Sequence, residues 1–126
     1  MKRVAIITGS HHWDEDNREP IARALAGYDV VVHGGAEGAD YVAEVVAAGD
    51  AAMTPIALPY WGRLGKRGGP RRNDELVKLA LLLRELGCEV TCHAFPLPDS
   101  TGTWDAVRKM RAAGIETVVH ETGGGE

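Results

Sequence analysis

Residues 30–40 read VVVHGGAEGAD, and this stretch decides the fold. Val30, Val31 and Val32 are β-branched, the pattern expected of the central strand of a parallel sheet, buried on both faces. Glycines then mark a sharp backbone turn, after which Ala39, Val42, Ala43, Val46 and Ala47 recur at helical spacing. Strand, glycine turn and helix in that order form the repeating unit of α/β architecture. Gly34, Gly35 and Gly38 put no side chains around Ala36 and Glu37, so the first free N–H groups of the new helix can face an anion, most favourably a phosphate. Asp40 falls in the first helical turn, placed to cap free N–H groups or to reach a ligand hydroxyl. The spacing G-G-x-x-G is neither the dinucleotide fingerprint nor a P-loop with its Lys and Ser/Thr. Taken alone, the glycines also fit a tight strand-to-helix turn that holds no ligand.

A chain of 126 residues is long enough for one well-buried core and too short for two. Its 44% hydrophobic and 25% charged residues are ordinary for a globular chain, which excludes disordered and collagen-like classes. A net charge of -4, with an isoelectric point near 5.7, argues against nucleic-acid binding, which leans on a basic surface. No apolar run approaches the length of a membrane span, and the start MKRVAIITGS is too short and too quickly polar for a signal peptide, so a cytoplasmic location without membrane contact is expected. Cys88 and Cys92 fit that compartment as reduced thiols packed in a core.

Outward from the glycine turn, strand and helix signals alternate. Val4–Thr8 is the first apolar run, and Gly9, Ser10, His11, His12 and Trp13 lie at its end, the edge where open α/β sheets bind ligands. Asp14 is placed to cap a helix that begins near Pro20. The second helix spans about Glu37–Ala48. Met53–Leu58, interrupted by Pro55, is a short or edge strand. PYWGRLGKRGGPRRN follows, with Trp61, Arg63, Lys66, Arg67, Arg71 and Arg72, and leads into a helix from Pro70 to about Leu86. Glu89–Phe95 is the fourth strand, Ser100 or Thr101 can cap the helix after it, and Thr117–His120 is the last strand. The expectation is one α/β domain over residues 1–121, a mainly parallel sheet of about five strands with helices on both faces, and a loose tail over 122–126.

In such a sheet, four loops gather at one edge: Gly9-Ser10, residues 34–38, the Arg/Asn stretch and Ser100-Thr101-Gly102-Thr103. Two are helix N-termini built from Gly with Ser/Thr or Asp nearby, and the third supplies Arg for bidentate contact with phosphate. Together they describe a pocket for a phosphorylated small molecule, a nucleotide above all. Each loop singly is ordinary punctuation.

HGGAEGAD, then Trp61 and GGPRRND, then FPLPDSTGTWDAVRKMRAAGI resembles the YspA-like branch of the SLOG superfamily over most of the chain. The resemblance implies a Rossmann-like fold that binds nucleotide-derived ligands, including ADP-ribose-like and NAD-derived molecules. It implies that Gly34, Gly35, Gly38 and Asp40 line the site, with Arg72, Asn73, Gly102 and Thr103. Two relatives of that branch differ in activity: the Lonely Guy enzymes hydrolyse the base from a nucleoside 5′-monophosphate, and the DNA-processing protein A branch binds single-stranded DNA. The enzyme branch carries P-G-G-x-G-T-x-x-E, whose Glu is a catalytic acid. Here the run from Pro98 is PDSTGTWDA, so Ala106 stands at the position of that Glu, and Asp105 points about 100° away around the helix. A methyl group cannot do a carboxylate's work at an oxocarbenium-like centre.

The leading expectation is therefore a binding module for a phosphorylated nucleoside or ADP-ribose-like compound. Residues 34–38 and 100–103 hold phosphate, Arg71 or Arg72 closes over it, and Asp40 or Asn73 takes a ribose hydroxyl. The enzyme alternative uses Asp40, Glu37 or Asp105 as the carboxylate, and a third class binds single-stranded DNA or a protein partner. Trp61, beside the basic stretch, is the tryptophan placed to stack on a base. No cofactor and no metal is expected, because the side chains of His11 and His12 diverge on an extended loop. Exposed tryptophans on so small a chain favour self-association through a helical face.

Overall fold

The computed structural model describes residues 1–58, 68–98 and 100–121. Trp61, Arg63, Lys66, Arg67, Asp99 and the tail 122–126 lie outside the described residues. The elements alternate as β1 (Arg3–Gly9), α1 (Glu19–Leu25), β2 (Val30–His33), α2 (Ala39–Ala48), β3 (Thr54–Ala57), α3 (Gly68–Glu85), β4 (Glu89–Phe95), α4 (Thr101–Ala112) and β5 (Glu116–Val119). The strands form one five-stranded parallel sheet in the order β3-β2-β1-β4-β5. The expected α/β, Rossmann-like domain is what the chain forms. The middle place belongs to β1 rather than to the strand ahead of the glycine turn, and β3 with Pro55 is an edge strand.

Burial explains the order. Val4, Ala5, Ile6 and Ile7 are at most 1% exposed, because a central parallel strand is covered on both faces and has no polar side to show. Ala5, Ile7, Val31 and Phe95 pack against Ile21 and Leu25 of α1 and the apolar stripe of α2. Val4, Ile6, Val32, Val90 and Cys92 pack against Leu76 and Ala80 of α3 and Met110 of α4. Cys88 and Cys92 are free thiols in that second cluster, and burial pushes the Cys92 thiol up to about 12, so it stays protonated. Asp14 does not cap α1, whose N-cap is Arg18; its Oδ1 instead accepts the Asp16 N–H at 3.0 Å within the loop. Among the described residues no helix is long and apolar enough to cross a membrane.

One close approach fixes how α2 sits on the sheet. A Cβ at Gly9 would lie 2.5 Å from the Cβ of Ala39 and 3.0 Å from the Phe95 carbonyl oxygen, so the end of β1 admits only glycine there. Gly9→Ala is expected to cost about 1–3 kcal/mol of stability as an overpacked substitution, and Ala39→Gly in the same chain should restore part of it. Urea unfolding of the single and double variants measures both.

Candidate functional site

The loops after β1, β2 and β4 open on the same C-terminal edge of the parallel sheet, and the start of α3 lies between two of them. Gly34 lets the side chain of Arg72 pass: a Cβ there would lie 2.2 Å from the Arg72 Cδ. The next residue, Asn73, is 2% exposed and its Nδ2 donates to the Gly102 carbonyl and to Asp105 Oδ2, each at 3.0 Å. Arg72 and Asn73 thus join the glycine turn to the N-terminus of α4. Arg71 is exposed beside them.

Within the glycine turn the amides already have acceptors. Asp40 Oδ2 takes the N–H groups of Gly34 at 3.1 Å and Ala36 at 3.3 Å. His33 Nδ1 takes the Gly35 N–H at 3.0 Å, Glu15 Oε2 takes Gly38 N–H at 2.9 Å, and the Ser10 carbonyl takes Ala39 N–H at 3.1 Å. Because Nδ1 of His33 accepts, Nε2 carries the ring proton and donates it to Glu44 Oε1 at 2.6 Å. Gly38 turns the chain at φ 74°, and a Cβ on it would lie 2.4 Å from the Ser10 carbonyl oxygen. The glycines at 34 and 38 therefore serve close packing against Arg72 and the β1–α1 loop. Burial raises the Asp40 carboxyl above the usual carboxylate range, against the pull of Arg72 and the two amides.

At the other loop the balance is reversed. Ser100 stands at the N-cap of α4, but its Oγ accepts the Leu97 N–H at 2.8 Å and leaves the helix uncapped. Among the described residues no acceptor meets the amides of Thr101, Gly102 and Thr103, the first turn of a twelve-residue helix. A Cβ at Gly102 would meet nothing within 4 Å. Asp105 is bonded to Asn73, lies 3.1 Å from Lys109 Nζ and pairs with Arg108. Desolvation opposes its ionisation, yet those bonds and cations outweigh it and hold the carboxyl below its usual range. Ala106 is 1% exposed and faces the interior.

An open cleft of about 560 Å³ lies beside the glycine turn, lined by His11, His12, Trp13, Glu15, Gly35, Ala36, Glu37 and Tyr41. His11 and His12 do not diverge: a turn brings their ring centroids to 4.1 Å, tilted by 45°. Among the described residues no three His, Cys, Asp or Glu side chains gather as a metal site. Trp13 is 3% exposed, packs edge-on against Phe95 and donates its indole N–H to the Asn17 carbonyl, so it is core as much as cleft wall. Trp104 is 39% exposed, and Trp61 lies outside the described residues.

Sequence reasoning missed Glu15, His33 and Glu44. A signal for two of them was present: Asp40 and Glu44 are one helical turn apart, so both carboxylates of α2 face the imidazole that ends β2. Glu15 carries no such pattern, because its partner is a main-chain amide across a loop. Since folding raises the Asp40 pKa, the folded chain binds more protons than the unfolded one between the ordinary and raised values, and stability is lost as pH rises through that window. Asp40→Asn, which keeps an acceptor and removes the buried charge, should change stability by less than about 1 kcal/mol at pH 7. Asp40→Ala, which orphans the Gly34 and Ala36 amides, should cost about 1–3 kcal/mol. Urea titrations of the two variants at pH 7 give the comparison.

No family model matches the chain, and no solved structure matches it. The Gene 61 protein of Mycobacterium phage D29 is 37% identical to it over 134 aligned positions, covering 94% of this chain and 95% of the relative. At that identity over nearly the whole of both chains, this protein belongs to the same family as the phage D29 Gene 61 protein.

Proposed function

We propose that the protein binds a phosphorylated, nucleotide-derived small molecule at the C-terminal edge of its sheet, as the resemblance to the YspA-like branch of the SLOG superfamily implies, without hydrolysing it. The observation that carries this reading is the join made by two successive residues of α3: Arg72 lies along Gly34 of the glycine turn, and Asn73 holds the N-terminus of α4, whose first amides have no acceptor among the described residues. Free N–H groups, the positive end of the helix and an Arg able to make two parallel bonds are what a phosphate needs. The phosphate belongs at residues 101–103 rather than at residues 34–38, where the amides of Gly34, Gly35, Ala36 and Gly38 are taken by Asp40, His33 and Glu15. At the same edge of the sheet, the 560 Å³ cleft between the β1 and β2 loops offers Glu37 and Glu15 as acceptors for hydroxyl or amino groups.

Binding without turnover follows from the carboxylates. Ala106 offers no acid, and Asp105 is held ionised by Asn73, Lys109 and Arg108, which suits it to a fixed structural charge rather than to proton transfer. Asp40 is engaged by two amides, so Glu37 is the one carboxylate of the three candidates that stands exposed in the cleft.

Calorimetry with AMP, ADP-ribose, NAD and inorganic phosphate tests the reading, with chromatography of the same mixtures for released base. At least one nucleotide should bind more tightly than phosphate, with no base released. Gly102→Ala is the sharpest probe, because the added methyl meets open space and should leave stability unchanged or raise it by about 0.4–1 kcal/mol, while crowding the amides. It should weaken nucleotide binding about tenfold or more, and Arg72→Gln should do the same. If every nucleotide binds no better than phosphate, the proposal fails; if base appears, Glu37→Gln should abolish its release.

A further inference from the structure

On the face of the sheet that carries α1 and α2, a row of rings runs from β5 to the cleft. His120 Nε2 lies 2.9 Å from His93 Nδ1, and the other nitrogen of His93 lies 2.8 Å from the Tyr28 hydroxyl. His120 stacks on Phe95 at 4.6 Å and 9°, and Phe95 meets Trp13, a wall of the cleft, edge-on at 5.7 Å. The Phe95 carbonyl also accepts the Ser10 N–H. We propose that the His93–His120 pair is a proton-operated element that resets the Trp13 wall of the cleft through Phe95.

Hydrogen counting sets the order of events. A bond between two facing imidazole nitrogens holds one hydrogen. With the pair neutral, Tyr28 donates to His93 Nε2 and His93 Nδ1–H donates to His120 Nε2, leaving the His120 proton on Nδ1. The alternative arrangement reverses both bonds, so that His120 Nε2–H donates to His93 Nδ1 and His93 Nε2–H donates to the Tyr28 oxygen. A first proton from solvent converts the first arrangement to the second and leaves His120 carrying hydrogens on both nitrogens; no hydrogen bond is lost. A second proton must go to His93 Nδ1, where it faces the Nε2–H of His120. The contact then sets hydrogen against hydrogen and cation against cation, so the rings part.

The surroundings oppose that second proton. The Arg3 guanidinium lies 4.4 Å over the Tyr28 ring and donates to Glu89 of β4, the Arg3 main-chain N–H donates to the Asp29 carboxylate, and Glu116 of β5 meets Thr91 two residues along. Burial first, then His120 and Arg3, lower the His93 imidazole to about 4, and burial lowers His120 as well. Unfolded chains take the same proton near the ordinary 6.5, so folding stability is present above that pH and is lost as pH falls toward 4.

The element does not depend on what the cleft binds, so its test needs no ligand. In ¹H–¹⁵N spectra of the whole chain, with the Trp13 indole peak assigned by Trp13→Phe, that peak should hold still while His120 takes its proton. It should shift in a second step near pH 4, and the shift should be lost in His93→Gln, which keeps a donor and an acceptor but cannot charge. Should His93→Gln fail to fold, His120→Gln removes the facing cation and carries the same expectation. A Trp13 peak that moves with the first proton, stays fixed through the titration of His93, or still shifts in the foldable Gln variant would overturn the proposal.

Discussion

The C-terminal edge of the sheet depends on one buried carboxylate. Asp40 is 5% exposed and its Oδ2 holds the amides of Gly34 and Ala36, which would otherwise be lost to water at the end of β2. With those two bonds made, the chain turns back at Gly38 and enters α2 at Ala39. That start sets the small faces of Ala39, Ala43 and Ala47 one turn apart against the sheet, close enough that β1 must end in glycine. Desolvation works against the Asp40 charge, and Arg72 and the two amides relieve it. Arg72 thus has two attachments: its stem lies along Gly34, and its charge answers Asp40.

Fold class was legible in the sequence because it rests on period and punctuation. The continuous apolar runs of β1 and β2, the polar–apolar alternation of β4 and the glycines after α3 and α4 are local, and each names an element by itself. Strand order was not local. β2 reads as central from its own valines, and its place beside the middle strand is set by two pairs of crossovers that no single segment records. The site divides in the same way. Gly34, Gly38, Asp40, Arg72 and Asn73 were all singled out, but their residue types suit a ligand and a packed turn equally. Only the acceptors on each amide separate the two, and those acceptors, Glu15 and His33 among them, come from across the fold.

Those acceptors also sort the rim by charge. In the glycine turn the N–H groups of Gly34, Gly35, Ala36 and Gly38 face Asp40, His33 and Glu15, whereas the amides in the first turn of α4 meet no acceptor among the described residues. For a chain of net charge -4, general attraction of anions is absent, so where an anion settles is decided by such local fields. At the cleft that field is set by Glu15 and Glu37, with His11 and His12 beside them.

The polar pairs between β4 and β5 follow from how the helices are distributed. On one face, α4 covers both strands; on the other, α1 and α2 lie toward β1, β2 and β3, and among the described residues the far end of the sheet has no helix of its own. An apolar surface there would be exposed at an edge strand, an invitation to pair with another chain. Thr91 with Glu116 and His93 with His120 fill that face instead, and Val118 between them is 37% exposed. Groups that must be tolerable to water yet are mostly buried are the ones whose protonation the fold perturbs most. Phe95 ends this row at its inner side and is 0% exposed, so a change in the imidazoles cannot dissipate into solvent and is passed to the ring it touches, Trp13.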